Sequence, residues 1–255
     1  MNCYCKVAVC GLLWLASSLT AFGDTLYITG FTQDVLYGGQ FSANLGDPNQ
    51  SFFIYCVDYR NDEGTPATVN LSSPDQSLPY AGLANTRYGT TPTANFAFYN
   101  TGTSALSAFD RYVIAGWLTT QYDFSSGVTT SDDQIQNAIW TLLNTSDTSG
   151  FPFFDAAGTG TWITQAVSWE SNAESAGTLA AFAKTIVIYT STDVAANNDL
   201  TQDAGSRYSI GTQEMIDPQS STVPEPSSVV LMGTALLAIA WFRRRLRVDS
   251  VVTMK

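Results

Sequence analysis

The central part of the sequence predicts an α+β fold, and two patterns carry this prediction. Segments in which apolar and polar residues alternate come first and last, which is typical of strands with one buried face. Between them lie segments whose apolar residues recur every three or four positions, the spacing of an amphipathic helix. Strands and helices grouped in this way indicate one α+β domain over residues 24–216, which is long enough to bury a substantial core.

The first 23 residues have the composition of a secretory signal peptide. Lys6 precedes an apolar run over residues 7–19, and residues 21–23, AFG, have the small-x-small form that signal peptidase cleaves. We therefore expect residues 1–23 to be removed, together with the cysteines at positions 3, 5 and 10. A lipoprotein signal at Cys10 is a weaker interpretation, because the apolar run ahead of that cysteine is too short.

The C-terminal residues follow a three-part order: a polar linker at 217–226, an apolar stretch at 227–242 and a basic tail at 243–255. Sixteen residues at helical rise span roughly 24 Å, slightly less than the ~30 Å hydrocarbon core, so we expect a transmembrane helix with little tilt. The basic cluster favours a cytoplasmic location for the tail. A permanent single-pass anchor is one interpretation of this order.

The same stretch also resembles a known sorting signal. Its order of Pro-Glu-Pro, short apolar helix and arginine cluster is similar to the PEP-CTERM signal of Gram-negative bacteria. The residues that carry the resemblance are Pro224, Glu225, Pro226, Arg243, Arg244 and Arg245. The resemblance implies an inner-membrane intermediate and processing by an exosortase near residues 224–226. Release or attachment at the cell surface or in the extracellular matrix would follow.

The composition of residues 24–223 excludes several classes of function. Five basic residues stand against twenty acidic ones, a net charge near −15, so nucleic acid and anionic lipid are not expected partners. The chain has no histidine, which excludes Ser-His-Asp catalysis, Cys-His catalysis and histidine-ligated zinc. We expect no metal and no cofactor, since the nearest approach to a calcium loop, YRNDEG at residues 59–64, is better explained as a solvated turn. A hydrolase that uses two carboxylates stays an alternative.

Strands are predicted at both ends of the domain. Residues 24–31 and 34–45 alternate apolar and polar side chains, and residues 51–59, SFFIYCVDY, are rich in aromatic and branched side chains typical of a buried strand. Residues 184–191 and 207–216 predict the closing strands. The polar, proline-containing stretch between residues 61 and 105 predicts only loops and short strands.

Helices are predicted in the middle of the domain. Residues 104–123 carry apolar side chains near helical spacing. Ser131 as N-cap and Gln134 three residues later form a capping box, which predicts a helix over residues 132–144. A third helix is expected over residues 161–174.

Two residues stand out from this pattern. Cys56 is the cysteine that remains once residues 1–23 are removed, and side-chain alternation in its strand predicts a shielded thiol. Gln136 lies at the margin of the apolar stripe of its helix, one turn before Trp140. Ordinary explanations are a small buried side chain for Cys56 and a boundary residue that reaches into solvent for Gln136. A thiol can also displace ammonia from a glutamine to form an internal thioester, if the fold presses the two groups together.

The motifs around both residues resemble the thioester domain of bacterial surface adhesins. Residues 55–58, YCVD, are similar to the aromatic-Cys-aliphatic-polar strand of that family, and residues 135–140, IQNAIW, to its apolar-Gln-x-apolar-apolar helix. RYVIAGWL at residues 111–118 is similar to the helix between the two motifs. The resemblance implies a β-rich barrel or sandwich with an inserted helical subdomain and a bond between Cys56 and Gln136. The side chains expected to shield this bond are Tyr55, Asp58 and Trp140.

The sequence thus predicts an exported surface or extracellular-matrix protein whose Cys56–Gln136 thioester couples covalently to an amine on a partner surface. Such a protein acts once, so we do not expect an enzyme. The alternative is a non-covalent structural or polysaccharide-binding matrix protein, in which Cys56 is a core residue. Aromatic side chains in the polar loops, such as Tyr88, Phe96 and Phe98, would then stack on sugars.

Overall fold

The computed structural model describes residues 24–35, 38–58, 66–75, 82–89, 106–144, 154–192 and 214–218. The strands in these ranges are β1 (Asp24–Val35), β2 (Gly38–Asn44), β3 (Phe52–Cys56), β4 (Ala67–Ser72), β5 (Val187–Ser191) and β6 (Met215–Asp217). The helices are α1 (Ala108–Thr119), α2 (Thr130–Asn144), α3 (Ala156–Ser175) and α4 (Leu179–Ala183), and a 3-10 turn covers Leu83–Asn85.

The strands close into a barrel in the order β1-β2-β3-β6-β5-β4, and each neighbouring pair is antiparallel. All four helices lie between β4 and β5 along the chain, and β4 and β5 pair with each other in the barrel. The α+β class agrees with the prediction, and of the two predicted β architectures the described residues form the barrel.

A hydrophobic core joins the helices to β3, β5 and β6. Tyr55, Ile188 and Ile216 contribute from the strands and pack against buried apolar side chains of α1, α2 and α3. Gly116 brings α1 close to the barrel, since an added Cβ there would lie 2.8 Å from Cδ1 of Ile186. The helical layer is therefore fixed against the strand that carries Cys56.

Helix α2 begins at Thr130, two residues before the predicted start. The Thr129 hydroxyl accepts from the backbone N–H of Asp132 at 3.4 Å, so the cap is Thr129 and not Ser131. The Asp132 carboxylate accepts hydrogen bonds from the backbone N–H of Thr129 at 2.8 Å and from its hydroxyl at 2.7 Å. The same carboxylate also accepts from the backbone N–H of Asp123 at 3.2 Å. Gln134, predicted to complete the capping box, donates instead to the Asp155 carboxylate at 2.8 Å.

Other boundaries also differ from the predictions. β1 continues through Val35, four residues beyond the predicted end at residue 31, and β2 begins at Gly38 and not at residue 34. α3 begins at Ala156, five residues earlier than predicted, because Asp155 caps it by accepting from the backbone N–H of Ala157 at 3.0 Å. Asp217 belongs to β6, although it was assigned to the linker.

The predicted signal peptide (1–23), transmembrane helix (227–242) and basic tail (243–255) lie outside the described residues. The predicted linker lies outside them from residue 219 onward. Within the described part of the chain, no helix has both the length and the apolar character needed to cross a membrane.

Candidate functional site

The two residues singled out by the sequence, Cys56 and Gln136, meet where the β2–β3 ladder ends. Gln40 pairs with Tyr55, so the next position along this antiparallel register places Gly39 opposite Cys56. Helix α2 inserts the Gln136 side chain at this point. Cys56 and Gln136 are both 0% exposed, so Gln136 is not the boundary residue that its helical position predicted.

Three hydrogen bonds fix the carboxamide of Gln136. Its Oε1 accepts from the backbone N–H of Gly39 at 3.0 Å and from the Tyr122 hydroxyl at 2.8 Å. Its Nε2 donates to the backbone carbonyl of Cys56 at 3.0 Å. The carboxamide thereby bridges the Gly39 N–H and the Cys56 carbonyl, in place of a direct backbone hydrogen bond between them. These different partners distinguish its oxygen from its nitrogen.

Gly38 makes close contact between β2 and the carboxamide possible. A Cβ added at Gly38 would lie 3.3 Å from both Cδ and Oε1 of Gln136 and 3.1 Å from Cζ2 of Trp140. Trp140 is 1% exposed and lies one helical turn beyond Gln136. The predicted shielding residue Trp140 is therefore adjacent to the Gln136 carboxamide, and the β2 backbone at Gly38 lies close to both.

Tyr122, which the sequence did not single out, belongs to the site. It lies after α1, and its half-buried ring stacks on Tyr55 at 5.6 Å and on Phe124 at 5.1 Å between ring centroids. The predicted shielding residue Tyr55 thus contacts Tyr122, while its own hydroxyl accepts from Nε2 of Gln40 at 2.8 Å. No pattern in the sequence of residues 119–125 marks Tyr122, because its hydroxyl contacts Gln136 only in the folded protein.

The thiol of Cys56 is buried beside these groups. Its Sγ donates to the backbone carbonyl of Asp58 at 3.3 Å. Burial raises the pKa of Tyr122 well above its usual value, and the nearby Cys56 sulfur raises it further. The pKa of Tyr88 is also raised well above its usual value, first by burial, with Cys56 as a smaller contributor.

Asp58, the third predicted shielding residue, is 0% exposed and holds the chain beyond Cys56 through its carboxylate. It forms an ion pair with Arg87 and accepts from the Tyr88 hydroxyl at 2.7 Å. The thiol contacts the backbone carbonyl of Asp58, and the carboxylate holds this segment through its ion pair with Arg87.

A second buried carboxylate, Glu214, extends this polar layer toward β5 and β6. It accepts from the backbone N–H of Arg87 at 2.7 Å, from the Tyr112 hydroxyl at 2.5 Å and from the Thr190 hydroxyl at 2.6 Å. Burial raises the pKa of Glu214, and the hydrogen bonds from Arg87, Thr190 and Tyr112 oppose that shift. These bonds tie the segment at residues 86–89 to α1 and to the barrel.

Of the aromatic residues expected to be exposed for sugar binding, Tyr88 is buried at 1% exposure. Its backbone N–H donates to the Tyr112 hydroxyl at 3.1 Å, so it is part of the polar layer. Phe96 and Phe98 lie outside the described residues. In the described ranges, no group of three or more cysteine, aspartate or glutamate side chains is arranged to hold a metal ion.

Comparison with known proteins identifies the C-terminal signal. Residues 222–245 match the family model described as the PEP-CTERM protein-sorting motif. Pro224, Glu225, Pro226 and the arginines at positions 243 to 245 all lie in this range. No curated protein and no solved structure matches the chain. The predicted sorting signal is confirmed, whereas the resemblance to a thioester domain stays a prediction.

The motif places the protein among exosortase substrates. Such a chain is exported, passes through the membrane and is processed by an exosortase on its way to the cell surface.

Proposed function

We propose that this surface-sorted protein stores an activated acyl group as a thioester between Cys56 and Gln136 and couples it to an amine on a partner surface. The observation that carries the proposal is the carboxamide of Gln136, which three hydrogen bonds hold against the Cys56 strand. The chemistry needs only the thiol, the carboxamide and an incoming amine, so the absence of histidine from the chain is no obstacle.

The reaction balances without an external oxidant or cofactor. Sγ of Cys56 attacks Cδ of Gln136, and the electron pair of the carbonyl π bond moves to Oε1. The Cδ–Nε2 bond then breaks, and Nε2 leaves as ammonia with the thiol proton. In the second step an amine nitrogen attacks Cδ, the Cδ–Sγ bond breaks, and a proton from the amine returns to the sulfur.

Proximity and burial favour this chemistry over hydrolysis. Groups held in reactive geometry reach effective molarities of about 10⁵ to 10⁸ M, which offsets the low reactivity of an unstrained amide. Cys56, Gln136 and Trp140 are all almost fully buried, and the Tyr122 hydroxyl is hydrogen-bonded to the carboxamide oxygen. Water is thereby kept from the acyl carbon while the thioester persists.

The coupling consumes the thioester, so the protein acts once and is not an enzyme. Its partner is an amine-bearing surface, such as a protein lysine or an amino sugar of a polysaccharide. A surface destination brings the acyl group into contact with such partners.

Intact mass of the purified full chain tests the proposal. We expect the mass to be one ammonia below that of the processed sequence, and methylamine to add to the protein with release of a titratable thiol. Cys56→Ala and Gln136→Ala should abolish both effects. Gln134→Ala is a matched control, because this glutamine lies on the same helix and bonds Asp155 instead of the site.

A full calculated mass, with a thiol that titrates only after denaturation, would refute the thioester. Prior hydrolysis has to be excluded by showing that residue 136 is still glutamine and has not become glutamate. The protein would then be a non-covalent structural matrix component. One observation favours this second function: the Gln136 carboxamide replaces a bond of the β2–β3 ladder, which is a sufficient structural role for a buried glutamine.

A further inference from the structure

The hydrogen bonds to the Gln136 carboxamide are unequal at its two ends. Oε1 receives two donors, the Gly39 N–H at 3.0 Å and the Tyr122 hydroxyl at 2.8 Å. Among the described residues, Nε2 has one partner, the Cys56 carbonyl at 3.0 Å. A glutamine that only bridges two strands needs one bond on each side, so the hydroxyl of Tyr122 is additional to the structural requirement.

We propose that Tyr122 is a catalytic residue, and that its hydroxyl together with the Gly39 N–H stabilises the negative charge that develops on Oε1. The inference rests on the proposed thioester function. The same oxygen carries the charge when Cys56 attacks Gln136 and again when an amine attacks the thioester. One pair of donors therefore serves both steps.

The surroundings of Tyr122 suit this role. Its ring is held between Tyr55 and Phe124, with interplanar angles of 6° and 17°, so the hydroxyl keeps its direction during the reaction. The pKa of Tyr122 is raised well above its usual value by burial, so the hydroxyl stays protonated and remains a donor at neutral pH. Donors fixed in a site with little water stabilise a developing oxyanion more than mobile water does.

Gly39 supplies the second donor through an unusual backbone conformation. Its φ is +95°, and an added Cβ would lie 2.5 Å from the backbone oxygen of Gln33. This conformation belongs to glycine, and it directs the N–H at Oε1 of Gln136. A side chain at residue 39 would disturb this donor and the strand together, so Tyr122 is the residue at which the role can be tested.

The test compares the full chain with Tyr122→Phe, which keeps the stacked ring and removes only the hydroxyl. Intact mass follows the loss of ammonia with time after folding, and the second-order rate constant for methylamine is measured on the thioester form. Removing one oxyanion donor is expected to slow each step by about 10²- to 10³-fold. Tyr27→Phe is the control, because that tyrosine is on β1 and 41% exposed. It should react as the wild type does.

Hydrolysis of the thioester separates catalysis from shielding. If Tyr122 donates to the oxyanion, attack by water slows in Tyr122→Phe along with attack by methylamine. If Tyr122 only excludes water, hydrolysis accelerates, and the inference is overturned. Unchanged rates in Tyr122→Phe, with a thioester present in the wild type, would overturn the role of Tyr122 and leave the thioester standing. A wild type of full calculated mass overturns both.

A second measurement covers the case in which Tyr122→Phe does not fold. Replacement of Tyr122 by 3-fluorotyrosine keeps the ring and the hydroxyl but makes the hydroxyl a stronger donor. We expect the infrared stretch of the thioester carbonyl to fall to lower frequency and the methylamine rate constant to change with it. A carbonyl stretch identical to that of the wild type would show that the hydroxyl does not reach Oε1, contrary to the inference.

Discussion

Replacing Glu170 by glutamine should remove a large part of the pH dependence of stability. Glu170 lies on α3 and is 8% exposed, near Asp110 in the first turn of α1. Burial, then interaction with the Asp110 carboxyl group, and then the charge of Glu174 raise the pKa of Glu170 to about 8.

The raised pKa of Glu170 determines whether the free energy of unfolding rises or falls with pH. In the unfolded chain Glu170 ionises near pH 4.5, whereas in the folded protein it keeps its proton up to about pH 8. The unfolded state therefore binds fewer protons between these values, and the free energy of unfolding falls as pH rises, by up to about 1.4 kcal/mol per pH unit. Below pH 4.5 this contribution is fully present, and above pH 8 no further stability is lost.

Glu170→Gln keeps nearly the same side-chain size and cannot ionise. At pH 7 the ionisation of Glu170 in the unfolded state lowers the free energy of unfolding of the wild type by up to about 3 kcal/mol. Residue 170 stays neutral in the variant, so the variant should be more stable by up to that amount. Below pH 4.5 the two proteins should be equally stable. Urea unfolding followed by tryptophan fluorescence between pH 4 and 9 measures both curves.

Glu174→Gln is the control, since Glu174 is exposed and is the smallest contributor to the shifted pKa of Glu170. It should shift the curve only slightly. Parallel pH profiles for wild type and Glu170→Gln would refute the reasoning, because they would mean that Glu170 ionises at the same pH in the folded and unfolded states.

Three further variants test other parts of the structure. Gly38→Ala should lower the methylamine rate constant at least about tenfold, because its Cβ would displace the Gln136 carboxamide by a few tenths of an ångström; unchanged kinetics would contradict this contact. Gly116→Ala should cost about 1 to 3 kcal/mol in urea unfolding through its contact with Ile186, whereas Gly30→Ala, which meets nothing within 4 Å, should cost little. Arg87→Met should cost about 3 to 5 kcal/mol because it leaves the Asp58 charge buried without its cation, and adding Asp58→Asn should recover part of that loss.

Local patterns in the sequence were sufficient for most of the elements. Alternation predicted β1 and β2, aromatic and branched residues predicted β3, helical spacing predicted α1, and a capping signal predicted α2. The errors occurred at the ends of elements. Ser131 was predicted as the N-cap of α2, whereas the Asp132 carboxylate accepts from two donors of Thr129 and the helix begins at Thr130.

The candidate site could be predicted only as a pair of residues. Cys56 and Gln136 stood out because one was the cysteine left in the exported part and the other was an amide beside an apolar stripe. Their eighty-residue separation gave no measure of their distance. Tyr122 and Gly39, which bind Oε1, carried no sequence signal, because a tyrosine after a helix and a glycine in a hairpin are each common.

The sequence alone determined that the protein is exported and sorted. The signal at residues 222–245 is a contiguous stretch whose order of proline, apolar and basic residues can be read without any fold. It also determined which kinds of catalysis the chain lacks, because residues that are absent from a sequence cannot be supplied by folding.

Only the tertiary structure decided what surrounds the thiol and the carboxamide. Gly39, Cys56, Tyr122 and Gln136 come from two strands, a loop and a helix, and their hydrogen bonds form only when the barrel closes and α2 packs against it. The positions of such groups depend on packing between segments that are distant in the sequence. Bringing these segments together costs chain entropy, and a contact stabilises the fold only when its energy exceeds that cost.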